Sequence, residues 1–416
     1  MSINITQSYG KYKDSGITYL GSVPAHWEIK HLKNLAEIRG GKDSKEVEID
    51  EGGYPIYGSG GVFGRASKFL YKKPSILLGR KGTIDKPLFV TEAFWSVDTM
   101  FYTAIKKNVD PKYLYYKCLT IPFGLYQYGS AVPSMASSVL SRILFAIPKQ
   151  TEQIAISEYL DTKSSKIDSK IDLLSQKVAC YEKLKQTLIN ETVTHGLNKT
   201  VTMKDSGIDW IGRVPSHWDV KPIRNILENR IDKNVGNTES EYLSLVAGTG
   251  VIPYAEKGNV GNKKPEDLEK CRMVFKGDFV LNSMNFGIGS FGISRYNGVC
   301  SSVYIVMRPK NGVNGEYLYR LFQIKPFQKY MSSFGKGIME IRMAIKWEHL
   351  KNIELPIPPT EEQKAIADYL DEKTVKIDQI LTAINAQIEK LKEIRKTLIN
   401  DVVTGKIKVT DEGLAA

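Results

Sequence analysis

The sequence predicts an α+β chain built twice over, with two globular β-rich domains, two long helices and pseudo-twofold symmetry between the halves. Three observations predict it. A short motif recurs at an offset of 191 residues, as DSGITYLGSVPAHWEIKHLKNLAEIR at 14–39 and DSGIDWIGRVPSHWDVKPIRNILENR at 205–230, with half of the positions identical. A longer stretch recurs at an offset of 210. Residues 147–194 open IPKQTEQIAISEYLDTKSSKID and close LKQTLINETVT, and 357–404 open IPPTEEQKAIADYLDEKTVKID and close IRKTLINDVVT. Between the two motifs of each half lies a stretch rich in Gly, Tyr and short β-type runs. Two copies with so long a period indicate an internal duplication rather than a solenoid.

Taken in order, the elements are an N-terminal segment (1–26), a first globular domain (27–150) and a first long helix (151–197). A connecting copy of the short motif (198–217) leads to a second globular domain (218–356), a second long helix (357–404) and a C-terminal tail (405–416). Within the globular domains, the runs at 75–78, 101–103, 279–281 and 303–307 read as strands. YGSGGVFG (57–64) and NFGIGSFG (285–292) read as tight turns, and 111–119 and 315–323 as helices. Outside these features the two domains align poorly.

The long segments are helical by periodicity. The first carries the apolar ladder Ile167, Ile171, Leu174, Val178, Tyr181, Leu184 and Leu188. The second carries Ile377, Leu381, Ile384, Ile388, Leu391, Ile394 and Leu398, each 210 residues further on. Steps of three and four, with charged residues on the other faces, give the narrow stripe of a coiled coil. Identical ladders suit pairing between the two helices; the alternative is that each packs on its own domain. Residues 152–194 contain no Pro or Gly and read as one rod of roughly 60 Å. Thr360 and Gln363 after Pro358-Pro359 fit a capping box.

The chain has 416 residues, 42% of them hydrophobic and 25% charged, which suits a folded protein of two to three domains. No apolar run approaches the ~20 residues of a membrane span, and the polar N-terminus has no signal-peptide pattern. Cys118, Cys180, Cys271 and Cys300 are scattered without a C-x-x-C pair, so a reducing cytoplasm is expected, with neither a disulfide framework nor a zinc site. The net charge is +12. Residues 27–150 carry +7 and 218–358 carry +6, whereas 151–200 are neutral and 359–416 carry −2. The excess therefore sits in the two globular domains, where it points to a polyanionic partner.

Catalytic motifs fail when tested against their chemistry. GIGSFG (287–292) has the G-x-G-x-x-G spacing, but ISRYNGVCSSVYIVM follows and reads as strand rather than helix, so a glycine hairpin is expected. GRKGT (79–83) lacks the P-loop spacing, and Pro358-Pro359 lacks the flanking amide and aromatic of an adenine methyltransferase motif. His26 and His217 occupy equivalent V-P-x-H-W turns and read as structural. No cluster has metal-ligand spacing. The residues suited to reading DNA are Arg, Lys, Asn and Ser in glycine-rich loops beside aromatics. In the first domain these are Tyr57, Ser59, Arg65, Lys68, Arg80 and Lys81. In the second they are Lys257, Asn259, Asn262, Lys263, Lys264, Asn282, Ser283, Asn285 and Arg295.

The paired D-S-G-I-x-x-x-G-x-V-P-x-H-W and I-P-x-x-x-E-Q-x-x-I-x-x-Y-L-D motifs, each of the latter leading into a helix that ends T-L-I-N, closely resemble the specificity subunit of type I restriction-modification systems. The resemblance covers nearly the whole chain. It implies that each globular domain is a target-recognition domain reading half of a bipartite, asymmetric double-stranded DNA site. It implies that the helices form an antiparallel coiled coil setting the spacer. It further implies two modification subunits, which use S-adenosylmethionine to methylate adenine, and two restriction subunits, motor-nucleases using ATP and Mg²⁺. The chain itself would be a non-catalytic subunit without cofactor, working in the cytoplasm and away from membranes. The competing reading is a protein-binding adaptor with two modules on a helical rod.

Overall fold

The computed structural model describes residues 8–129, 132–259, 263–284, 286–334 and 344–409. The chain forms two compact units, one of residues 1–175 with 386–416 and the other of 176–385. The duplication is visible in both. The first unit holds a four-stranded antiparallel sheet in the order Ala36–Gly40, Met100–Ile105, Ser75–Gly79, Leu88–Val90. The second holds Leu227–Arg230, Tyr304–Pro309, Phe279–Asn282, Phe291–Ile293 in the same order and sense. A two-stranded sheet accompanies each, Glu28–His31 with Leu144–Ile147 and Asp219–Pro222 with Glu354–Ile357. The helices Pro111–Cys118 and Gly315–Gln323 follow equivalent strands, capped by the side chains of Asp110 and Asn314.

The halves diverge in the remaining strands. The first unit adds a sheet ordered Trp95–Ser96, Tyr54–Gly58, Gly61–Ala66, Glu48–Ile49. The second has two separate pairs there, Leu243–Val246 with Gly250–Pro253 and Arg272–Val274 with Gly298–Cys300. The strand-like stretch that follows GIGSFG is divided among Phe291–Ile293, Gly298–Cys300 and Tyr304–Pro309, the last covering the run expected at 303–307. Serine hydroxyls make the breaks. Ser294 Oγ accepts from Tyr296 N, and Ser301 Oγ accepts from Val303 N, which turns the backbone out of the ladder.

The long helices run Gln150–His195 and Thr360–Val403. Within the first unit, Glu152 near the start of one and Gly405 just past the end of the other both meet Trp27, while Asp168 pairs with Arg395 at 3.0 Å. Within the second, Lys185 pairs with Asp378 at 2.6 Å, and Gly196 sits against Glu362. In each unit the two helical segments therefore run antiparallel. Ile377, Ile384, Ile388 and Leu398 are buried. Ile167, Ile171, Leu174, Val178, Tyr181, Leu188, Leu381, Leu391 and Ile394 are half-buried. Leu184 departs from the ladder, being 51% exposed. After Tyr181 the stripe takes a four-residue step, and Lys185 rather than Leu184 turns inward, where its ammonium reaches Asp378.

The repeated motifs meet at the helix starts. Trp27 is fully buried and donates through Nε1 to Glu152 at 3.1 Å, while His26 Nε2 lies 2.8 Å from the same carboxylate. Trp218 and His217 repeat both contacts with Glu362, at 3.1 and 2.8 Å. The next residue, Gln153, accepts from Asp110 N and donates to Pro148 O. Gln363 likewise accepts from Asn314 N and donates to Pro358 O. The Glu-Gln pair thus latches the H-W motif with one side chain and the capped globular helix with the other. This replaces the expected capping box, because Thr360 Oγ1 and Gln363 Nε2 both donate to Gly312 O and neither caps the helix.

The helix ends are held differently in the two units. Tyr317, fully buried, donates to Val193 O at 3.1 Å. At the corresponding point of the first unit, Lys117 donates to Val403 O at 2.8 Å, with Trp27 and Phe145 rings 6.0 and 5.4 Å from its ammonium. Burial pulls Lys117 down to about 7 and pushes its neighbour Cys118 up to about 12.

Candidate nucleic-acid interface

In the first unit, three loops converge beyond the end of strand Ser75–Gly79. Arg80 and Lys81 turn there because their amides donate to Thr99 O at 2.8 and 3.2 Å. Arg80 is exposed; its guanidinium donates to Asp98 O and lies 6.0 Å from the Phe101 ring. The hairpin tip Ser59-Gly60 joins strands Tyr54–Gly58 and Gly61–Ala66. Ser59 Oγ lies so close to Gly82 that a Cβ there would sit 3.1 Å from it. The third, residues 132–136, is seated by Gly82 N donating to Pro133 O and Met135 N to Arg80 O. Ser59, Arg80 and Lys81 are thus brought together. Arg65 and Lys68 are exposed further along the hairpin strand and its exit. Tyr57 is half-buried, edge-on to Phe94 at 6.0 Å, and supports the hairpin from inside.

The second unit repeats this convergence with other residues. Ser283 follows strand Phe279–Asn282 as Arg80 follows its counterpart, and Ile345 N donates to Ser283 O as Met135 N does to Arg80 O. The hairpin turn at 247–249 meets the residue after the short helical turn Phe286–Ile288, since Gly248 N donates to Gly289 O at 3.3 Å. A Cβ on Gly292 would come within 2.9 Å of Gly250 Cα, so the glycine there is required by close approach. Asn282 is buried, its Oδ1 accepting from Met284 N, and it shapes the loop rather than presenting its amide. Ser283 Oγ donates to Val303 O. Lys257 is buried with its ammonium 4.7 Å from the Tyr254 ring. Asn259, Lys263, Lys264 and Arg295 are exposed. Asn262 and Asn285 lie outside the described residues.

Sequence reasoning missed Tyr128 and Val132, which are 56% and 53% exposed. Their signal was present as a second aromatic, Gly- and Ser-rich run, YGSAVPSMASS, at 128–138. It also missed Val62 and Phe63 on the hairpin, which are 55% and 60% exposed.

These surfaces suit a polyanion. In the first unit the exposed Arg80 and Lys81 stand beside Ser59 and Gly82, and in the second the converging turns carry Ser283 and glycines, while Lys263, Lys264 and Arg295 are exposed on the same unit. Among the described residues, no group of His, Cys, Asp and Glu could hold a metal ion. The two carboxylate–histidine contacts each also accept a buried tryptophan N–H, the geometry of a structural latch. No helix among the described residues is long and apolar enough to cross a membrane.

Residues 24–177 and 215–390 match the family described as Type I restriction modification DNA specificity domain. The putative type I restriction enzyme MjaX specificity subunit of Methanocaldococcus jannaschii is 24% identical, over 96% of this chain and 98% of that protein. The MjaVIII specificity subunit of the same organism is 24% identical over 93% and 94%. A solved chain, described with the complex assembly and conformational transition of the type I R-M system, has a similar fold. Its TM-score is 0.66 at 14% identity, over 92% of this chain and 98% of that one.

Proposed function

The chain belongs to the type I restriction modification DNA specificity family, and from that premise we propose that each of its globular domains reads one half of a bipartite, asymmetric DNA site. It is a DNA specificity subunit with two recognition domains. The observation that carries the proposal is the contrast between a shared frame and unshared loops. Both units have the same four-stranded sheet, helix and latch, yet different outer strands and different side chains on the converging loops. A duplicated frame that keeps its core and varies its tips suits two readers of different sequences. Phosphate contacts from the exposed lysines and arginines set register, and base contacts from the loop tips carry sequence.

In this reading the subunit is non-catalytic. Two modification subunits bind S-adenosylmethionine and methylate adenine N6, and two restriction subunits use ATP and Mg²⁺; this chain holds none of these and acts in the cytoplasm. The paired helices set the unread spacer and offer the dock for those partners. The adaptor reading leaves the positive charge of the two globular domains, +7 over 27–150 and +6 over 218–358, without a ligand. The test is to map methylated adenines in cells with and without this gene. The reading expects one two-part motif to lose its methylation when the gene is removed. An unchanged methylation pattern in a strain whose modification subunits are active would overturn it.

A further inference from the structure

The hairpin of the first unit carries an aromatic side chain that the core does not use. Phe63 is 60% exposed, although its ring is held in place. A Cβ on Gly58 would sit 3.2 Å from that ring, so the ring rests on a strand that has no side chain to displace it. Gly61, at φ +109°, lets the chain turn back directly before Val62 and Phe63. The result is a solvent-facing aromatic whose ring edge rests on the Gly58 strand.

Its surroundings identify what it meets. The ring touches Gly58, which leads into the Ser59 tip, and Ser59 lies against Gly82 beside Arg80 and Lys81. Gly82 in turn holds Pro133, next to the exposed Val132. The strand that carries the Phe63 ring therefore leads into the Ser59 tip, and that tip packs on Gly82, the residue after Arg80 and Lys81. Phosphates satisfy the cations, but they offer nothing to a phenyl ring. The apolar partners that duplex DNA offers are thymine methyl groups and the faces of bases at an opened step.

We propose that Phe63 is a specificity-determining residue, making apolar contact with bases in the half-site read by the first domain. This rests on the DNA-reading function proposed above and adds the residue and its mode of contact. Arg80 and Lys81 anchor the neighbouring phosphates, and the ring reports base identity or step deformability.

The experiment uses the full chain bound to its modification subunits and duplexes carrying the mapped methylation site. Site affinity and unrelated-duplex affinity are measured over a salt series for the unchanged protein, Phe63→Ala and Phe63→Leu. Phe63→Ala should weaken binding to the site roughly five- to a hundredfold, the range for loss of a base–aromatic contact. It should leave the slope of log affinity against log salt and the affinity for unrelated duplex unchanged. Base preference should relax in one half-site only, and Phe63→Leu should fall in between. Unchanged site affinity in Phe63→Ala overturns the inference while leaving DNA reading intact. An equal loss on site and unrelated duplex overturns it as well, since the residue would then act on backbone placement. If the unchanged protein shows no site-specific, salt-dependent binding, the underlying reading fails and the inference falls with it.

Discussion

Replacing Lys117 by Met tests how the first unit holds its helix end. The ammonium is 1% exposed and donates to Val403 O, and Val403 is itself fully buried. Burial lowers its pKa from the ordinary 10.5 to about 7. Between those values the unfolded chain binds a proton that the folded chain does not, so this group makes stability rise with pH. From pH 7 to 8.5, one such lysine contributes a rise of about 1.6 kcal/mol by linkage. The rise continues towards pH 10.5, and below pH 7 both states are protonated and it vanishes. Met fills the space without titrating, as Leu321 does in the equivalent turn of helix Gly315–Gln323, but it leaves the Val403 carbonyl unpaired at a cost of about 1–3 kcal/mol. Denaturant unfolding of both proteins at pH 7 and 8.5 measures the difference. Lys117→Met should lose about 1.6 kcal/mol relative to the parent between the two pH values. An identical difference at both would refute a buried, proton-shedding lysine.

Truncating the latch should destabilise each unit separately. Glu152→Ala strands the buried Trp27 N–H and also the Tyr9 hydroxyl, which donates to Glu152 at 2.7 Å. Glu362→Ala strands only the Trp218 N–H and the His217 contact. Both should cost about 1–3 kcal/mol in denaturant melts, with Glu152→Ala the larger. On the reading loops, Arg80→Ala should lower the salt slope of DNA binding by about one, as expected for one lost phosphate contact. Asn282→Ala should leave the slope unchanged, yet weaken recognition of one half-site, because Met284 N loses the side-chain oxygen that accepts from it. Inserting one heptad into each long helix at matched depth adds roughly 10 Å of helix. Methylome mapping should then show a spacer about three base pairs longer, at ~3.4 Å per base pair, with unchanged half-sites.

Much of this architecture was legible in the sequence because duplication writes itself twice. The H-W and E-Q motifs recur, and their recurrence marks the latch, although only the structure shows that the two motifs bind each other. The helix-like stretches 111–119 and 315–323 were legible, and helices Pro111–Cys118 and Gly315–Gln323 form there. The shared strand order was not, because sheet pairing depends on residues tens of positions apart and the outer strands have diverged. Thr360 and Gln363 had the spacing of a capping box, but the Gly312 carbonyl competes for both side chains. Leu184 had the right chemistry at one residue's remove from the inward position that Lys185 takes. Among the candidate DNA readers, composition could not say which way a side chain turns. Asn282 and Lys257 are turned inward, whereas Phe63 and Tyr128, apolar enough to suggest a core, face solvent.

The central claim is that the two domains read separate halves of one site. It is tested most directly by replacing residues 27–150 with the corresponding domain of a relative of known specificity and mapping the methylated adenines. The latch residues on the long helices and the whole second unit remain as they are. One half of the methylated motif should change to that of the donor, while the other half stays the same. A motif that changes in both halves, or in neither, in a folded and methylation-competent complex would contradict the account.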